Sequence, residues 1–336
     1  MKIRRLVALL LVLSLALVQA PATAKAEDYS NAKLSTTYLK IYRVNTIAEG
    51  KVDILDCPSL EESDFDYTWS NSKMDVICGL DAENKTIHIY SDTKGTTTIR
   101  FWLDDKVLSM TLVVAQVGIK NNSLLLVKGK KSTLKLSNAP SDVKWCTTNK
   151  KVATVTSKGV VKAKKIGNAV VYAKIGEERI GCAVSVVKKK MKIVIKKAYS
   201  LAKGKYSQPK RMKKGYYDCS SLVWRAYKKA KWYLANRWYA PVAADLAKYY
   251  VKKKKKKIKG GLSASNISKM KLRPGDLMFL TGANNGRYKG IYHVEMFTGY
   301  KCIGFDVQNK PILVTRWAVM PDGYYGFGKH LMARPK

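Results

Sequence analysis

Hydrophobic and polar positions fall into successive regimes along the chain. Residues 27–117 and 118–187 alternate short runs rich in Val, Ile, Thr and Tyr with turns of Gly, Asn, Asp and Lys, and helical spacing is almost absent. Such runs predict β-strands, and strands so spaced predict sandwiches. Val152, Thr154 and Thr156 alternate with Ala153, Val155 and Ser157, the two faces of one strand. Lys188–Lys197 is lysine-rich and marks a boundary. From about residue 192 helical spacing appears first and strands follow, which predicts an α+β unit over 192–336. Leu222, Val223, Ala226, Tyr227 and Ala230 form one apolar stripe, so a helix begins near Cys219. The chain starts with a basic cluster (Lys2, Arg4, Arg5), an apolar run from Leu6 to Val18, and Ala24-Lys-Ala26. This predicts a secretory signal over 1–26, cleaved after Ala26. The apolar run is about 13 residues, short of the roughly 20 that span a bilayer.

The second segment carries Val143-Lys-Trp145, Asn149-Lys-Lys-Val-Ala-Thr-Val155, Lys158-Gly-Val-Val-Lys-Ala163, Gly167-Asn-Ala-Val-Val-Tyr-Ala173 and Cys182-Ala-Val-Ser-Val186. It resembles a bacterial immunoglobulin-like domain of group 2 over about its whole length. Trp145 is placed to fill the space between two sheets, and Gly159 and Gly167 permit turns with positive φ. Residues 27–117 resemble a degenerate copy, with Tyr67-Thr-Trp69, Gly95-Thr-Thr-Thr-Ile-Arg-Phe101 and Leu108-Ser-Met-Thr-Leu-Val-Val114 in corresponding places. Spacer or weak wall-binding module is the expected role of both.

Charge changes the picture of the partners. The net charge is +39. Loss of 1–26, with four basic residues and no acid, leaves +35. An exported chain so basic will be drawn to polyanions, of which the anionic polymers of a bacterial wall are nearest. Lys252–Lys257 is the densest run, read as a solvated loop. No nucleic-acid-binding motif accompanies the charge. Six cysteines are too few for a disulfide scaffold in 336 residues. Cys57 with Cys78, and Cys146 with Cys182, lie on strands that could face each other after export; Cys302 is expected in the core of a strand after the His293 strand.

The candidate chemistry lies in the last unit. Tyr217-Asp-Cys-Ser-Ser-Leu-Val223 puts Cys219 at a helix start, where the dipole and free N–H groups favour a thiolate. Leu272-Arg-Pro-Gly-Asp-Leu-Met-Phe-Leu280 is a turn feeding a hydrophobic strand, and Tyr292-His-Val-Glu-Met-Phe-Thr-Gly299 an alternating one. His293, Glu295 and Phe297 share one face there, with Val294 and Met296 on the other. A thiol nucleophile needs a base, and the base needs a group to orient it. Of three histidines, only His293 sits in a regular strand of the unit that holds Cys219.

These three motifs in this order, with Ala333-Arg-Pro335 near the end, resemble the NlpC-type cell-wall cysteine peptidases from roughly Ile193 to Pro335. The resemblance implies a papain-like fold and amide hydrolysis through an acyl-enzyme. It implies Cys219 as nucleophile, His293 as general base and then acid, and stem peptides of peptidoglycan as substrate, cut between D-γ-glutamate and the diamino acid. Asp218 and Ser220 would bind a free amine, and Tyr206 would stand near the oxyanion. The family's third catalytic residue, counted along the chain, falls on Phe305; the adjacent Asp306 is the candidate, with Gln308 and Asn309 behind it, and needs a bulge to share a face with His293. Glu295 stands where the family commonly has Gly; it could raise the imidazole pKa, bind a substrate amine, or be a solvated edge carboxylate.

The expected molecule is therefore multi-domain: all-β immunoglobulin-like sandwiches followed by an α+β papain-like cysteine peptidase domain. It is expected to be secreted, wall-associated and monomeric, with no cofactor, metal, nucleic-acid partner or transmembrane segment. The alternatives are a wall-binding or adhesion protein that keeps the fold without activity, and an amidase or acyltransferase using the same Cys–His pair.

Overall fold

The computed structural model describes residues 28–335 apart from 45–46, 58 and 324–329; the signal expected over 1–26 lies outside the described residues. The N-terminal unit has strands β1 (Lys33–Leu34), β2 (Tyr38–Arg43), β3 (Ala48–Leu55), β4 (Phe65–Trp69), β5 (Val76–Asp81), β6 (Thr86–Ser91), β7 (Gly95–Leu103) and β8 (Lys106–Gln116). They form two sheets, β1-β3-β6-β5 and β2-β8-β7-β4. Alternation decides which side faces in. On β7, Ile99, Phe101 and Leu103 are buried while Arg100 is exposed. They meet Ile87, Ile89, Met110 and Leu112 in a closed core.

The second unit has β9 (Gly118–Ile119), β10 (Ser123–Val127), β11 (Lys131–Thr133), β12 (Leu136–Ser137), β13 (Lys144–Thr147), β14 (Ala153–Val155), β15 (Val160–Ala163), β16 (Gly167–Ile175) and β17 (Glu178–Val187). The sheet β10-β17-β16-β13 faces the sheet β11-β15-β14. Trp145 packs against their shared core. Gly159 has φ +73°, and a Cβ there would lie 2.6 Å from the Leu134 carbonyl and 3.1 Å from the Trp145 ring, so the turn requires glycine.

The third unit begins at α1 (Lys189–Ala202). After it come β18 (Lys205–Tyr206), β19 (Tyr216–Tyr217), α2 (Cys219–Lys229), α3 (Ala243–Ala247), a π-helical turn (Lys248–Lys253) and α4 (Ala264–Ser268). Four strands follow: β20 (Leu277–Thr281), β21 (Ile291–Phe305), β22 (Pro311–Trp317) and β23 (Leu331–Ala333). The sheet order is β22-β21-β20-β23, antiparallel throughout. One face carries Leu277, Phe279, Val294 and Met296 against α1 and α2. The other carries Met278, Phe297, Tyr300 and Cys302. Cys302 thus lies on the His293 strand itself rather than on the next one, and Lys252–Lys257 is exposed throughout.

That second face is covered by the immunoglobulin-like unit. Val171, Cys182 and Val184 point into the sandwich core. Val170 and Ala183 point the other way and join Phe297, Tyr300 and Trp317. Asn168 closes the seam: its Nδ2 donates to the carbonyls of Met270 (2.9 Å) and Leu272 (2.7 Å), and its Oδ1 accepts from the Ser185 hydroxyl (2.8 Å). The Cys302 N–H donates to the Asn122 carbonyl at 3.0 Å. Helices, sheet, sheet and sheet are stacked as successive layers. The outer face of this sandwich is therefore an interior surface of the molecule.

The cysteine pairings are corrected too. No disulfide forms among the described residues. β16 lies between the strands of Cys146 and Cys182, which face Tyr172 and Val171 on it, and strands two apart are about 9.6 Å from each other. β6 likewise separates β3, which precedes Cys57, from β5, which holds Cys78.

Candidate thiol–imidazole site

The local sequence fixes where α2 starts. Asp218 has extended backbone (φ −121°, ψ 175°), and its carboxylate accepts the Ser221 N–H at 2.7 Å. The Ser221 hydroxyl in return accepts the Asp218 N–H at 2.9 Å. This reciprocal cap makes Cys219 the first helical residue. Ahead of it, β19 pairs with β18 so that Tyr217 lies beside Tyr206, ring centroids 5.7 Å apart. Below it, the Tyr227 hydroxyl donates to the Gly275 carbonyl at 2.5 Å, which ties the helix to the Pro-Gly turn. Asp276 in that turn is 1% exposed and takes two hydrogen bonds from Arg334, both 2.8 Å, so the second motif and the closing Arg-Pro are joined.

The helix start meets the histidine strand at the sulfur. Groups from both elements bear on the Cys219 thiol: the Val294 backbone, next along the strand from His293, the Tyr206 hydroxyl and the Ser220 backbone all favour the charged sulfur. Burial is nevertheless the largest influence and pushes the thiol up; the Asp218 carboxylate pushes the same way, against those three groups. The thiolate expected from the helix dipole is thus outweighed. Burial holds the His293 imidazole below its usual value, and Asp218 pulls it partly back. His293 Nε2 is shielded from solvent and has no hydrogen-bond partner among the described residues. Both shifts favour the neutral forms, thiol and imidazole.

The other predicted residues fall as follows. Tyr206 is half exposed and reaches the sulfur. Asp218 and Ser220 are 5% and 2% exposed. Arg211 pairs with Asp218 Oδ2 at 3.2 Å, and donates to the Ser220 hydroxyl (3.2 Å) and the Ala240 carbonyl (3.0 Å). The two residues expected to bind an amine are therefore engaged in fixing the helix start. Arg211 sits in the basic stretch Lys210-Arg-Met-Lys-Lys214, where nothing in the sequence distinguishes it from its neighbours.

Asp306 is not brought to the site, which corrects its assignment. It follows the end of β21, thirteen residues from His293, roughly 40 Å along the strand at about 3.3 Å per residue. There its carboxylate accepts the N–H groups of Gln308 (3.0 Å) and Lys310 (2.7 Å) and shapes the hairpin turn, to which Asn309 also belongs. Beyond β22 the chain continues beside β21: Trp317 pairs with Phe297, and the Ala318 N–H donates to the Met296 carbonyl. Glu295 is not a solvated edge carboxylate. It is 2% exposed and accepts the N–H groups of Met296 (2.8 Å) and Met320 (3.4 Å). Burial raises its pKa to about 7.

Among the described residues no group of three His, Cys, Asp or Glu is placed to hold a metal ion, and no helix is long and apolar enough to cross a membrane. Residues 113–178 match the family of bacterial Ig-like domains, group 2. No curated protein sequence matches the chain. Among solved structures, invasin, a bacterial integrin-binding protein, is similar over 48% of this chain and 39% of its own, at 10% identity and a TM-score of 0.32. The C-terminal fragment of intimin, solved with the intimin-binding domain of its translocated receptor, is similar over 68% of this chain and 83% of its own, at 14% identity and a TM-score of 0.28. An S-layer protein is similar over 41% of this chain and 22% of its own, at 14% identity and a TM-score of 0.20. The chain thus spans well under half of the invasin and S-layer chains. What the family match gives is the architecture of the second unit: a bacterial immunoglobulin-like domain.

Proposed function

We propose that the C-terminal unit is a papain-like thiol hydrolase of the NlpC type, acting on amide bonds of peptidoglycan stem peptides at the cell surface. The observation that carries this reading is the packing of α2, which Cys219 opens, against the histidine strand β21, whose Val294 backbone bears on the Cys219 thiol. In the proposed reaction His293 takes the thiol proton as sulfur attacks the scissile carbonyl. The Tyr206 hydroxyl and the Cys219 N–H are the donors proposed for the oxyanion, since the Ser221 N–H is held by the Asp218 cap. Collapse expels the amine, which receives the proton from His293. Water, deprotonated by His293, then attacks the thioester, releases the carboxylate and restores the thiol.

Asp218 replaces Asp306 as the carboxylate acting on the imidazole, since its charge bears on His293. The reading without catalysis also has an observation in its favour: among the described residues no side chain bonds His293 Nε2 to orient the ring. Hydrolysis of a soluble stem peptide separates the two. The parent should release a new amine; Cys219→Ala and His293→Ala should each lower the rate by at least about a thousandfold while folding as the parent does. A parent no faster than Cys219→Ala would leave the non-catalytic reading standing.

A further inference from the structure

Where α1 leaves the immunoglobulin-like unit, its outer side and the β10–β11 turn enclose an open groove of about 590 Å³. Lys189, Lys192 and Lys196 line one wall, and Lys130 and Lys131 the other. All five are exposed. The floor is apolar, with Ile193 37% exposed within it. No single unit makes this groove; it exists because the two are packed together.

Three features give it a chemical direction. The first is uncompensated charge. Among the described residues none of the five amines pairs with a carboxylate. No acid occurs in sequence between Asp105 and Asp142 or between Glu178 and Asp218, the stretches that supply both walls. The second is the helix end. Lys188 caps α1 without a side-chain acceptor and its first turn has no acid, so the positive end of the dipole adjoins Lys189. The third is extent and residue type. Lys189 to Lys196 spans about 10 Å at about 1.5 Å per residue, too long for one small anion. Every cation is lysine, which meets a phosphate as a point charge and demands no bidentate geometry of it.

We infer that this groove binds a linear polymer carrying repeated phosphate groups, seated across the junction of the two units. The inference rests on charge and shape and stands whether or not Cys219 is a nucleophile.

Linear inorganic polyphosphate is the probe, titrated into the full chain at several salt concentrations, with polyglutamate of similar length as the second arm. One variant carries Lys189→Gln, Lys192→Gln and Lys196→Gln. A second carries Lys130→Gln and Lys131→Gln on the opposite wall. A control carries Lys252→Gln, Lys253→Gln and Lys254→Gln, the same charge change as the first variant in an exposed run outside the groove. The groove triple should weaken polyphosphate binding at least tenfold and lower the slope of log affinity against log salt by about two to three, as for the loss of three counterion-releasing contacts. The opposite-wall variant should weaken it in the same sense and the control less than threefold. Equal losses in triple and control would overturn the groove as a site, as would a parent that does not bind. Polyglutamate binding as tightly as polyphosphate would overturn the assignment to phosphate. Circular dichroism confirms that the variants fold, and unchanged binding by Cys219→Ala separates this result from the fate of the catalytic reading.

Discussion

At the residue scale, the reactivity of Cys219 is set by a contest. Tyr206, Val294 and Ser220 favour the charged sulfur, while burial and the Asp218 charge favour the neutral thiol, and burial wins. Asp218→Asn removes one opponent and keeps an oxygen for the Ser221 N–H, since Asn caps helices about as well as Asp. Alkylation of Cys219 followed against pH by peptide mass spectrometry should have its midpoint above that of an ordinary thiol in the parent, and lower in the variant. A midpoint that stays put or rises would mean that Asp218 does not bear on the sulfur. The places of Cys219 at a helix start and of His293 in a strand were legible because each pattern is complete within a few residues. Asp306 was misread because hairpin length is not local. Counting twelve or thirteen residues from His293 assumes a short return, but β21 runs to Phe305 before turning, so the count ends at the tip.

At the element scale, β21 is the centre of the C-terminal unit. Residues 294–300 are all buried, Val294 and Met296 against the helices and Phe297 and Tyr300 against the immunoglobulin-like sheet. A carboxylate in that strand is costly. With its folded pKa at about 7 against an ordinary 4.5, Glu295 binds its proton more tightly in the folded protein than in the unfolded chain. Its contribution is fully present below about pH 4.5 and is lost as pH rises through about 7, a change on the order of 3 kcal/mol. Melting temperature measured from pH 4.5 to 8 should fall less steeply in Glu295→Gln than in the parent. Parallel curves would show that Glu295 is ionised at little cost. The alternation of His293, Glu295 and Phe297 with Val294 and Met296 suggested one wet face, because alternation reports two faces and not what covers each. In β17 the signal was plainer: Cys182-Ala-Val-Ser-Val-Val187 is nearly all apolar or small, as in a strand buried on both sides.

At the scale of the whole molecule, the two C-terminal units are one folding unit. Asn168 satisfies two carbonyls of the 270–272 segment, and Val170 and Ala183 fill the floor under Phe297 and Tyr300. Removing residues 27–187 would uncover that floor and orphan those carbonyls, each worth about 1–3 kcal/mol when buried without a partner. The N-terminal unit closes its own core. Expression of residues 118–336 should therefore yield a protein that unfolds in one transition and keeps soluble-peptide turnover, whereas residues 188–336 alone should be insoluble or molten. A well-folded, fully active 188–336 fragment would make the seam dispensable. The immunoglobulin-like character of residues 118–187 was legible from turns, Trp145 and strand spacing. Its role as a layer of the neighbouring unit was marked only by the apolar run of β17, which shows that the outer face is covered and not what covers it.

The central claim is that Cys219 opens an amide bond in wall peptides. Purified peptidoglycan digested with the mature chain, in parallel with Cys219→Ala, and read by mass spectrometry of the released fragments, tests it most directly. The account predicts fragments from the parent that end at one stem-peptide amide bond, with a new amine on the partner fragment, and none from Cys219→Ala. Identical fragment profiles from the two proteins, or intact stem peptides after both digests, would contradict it.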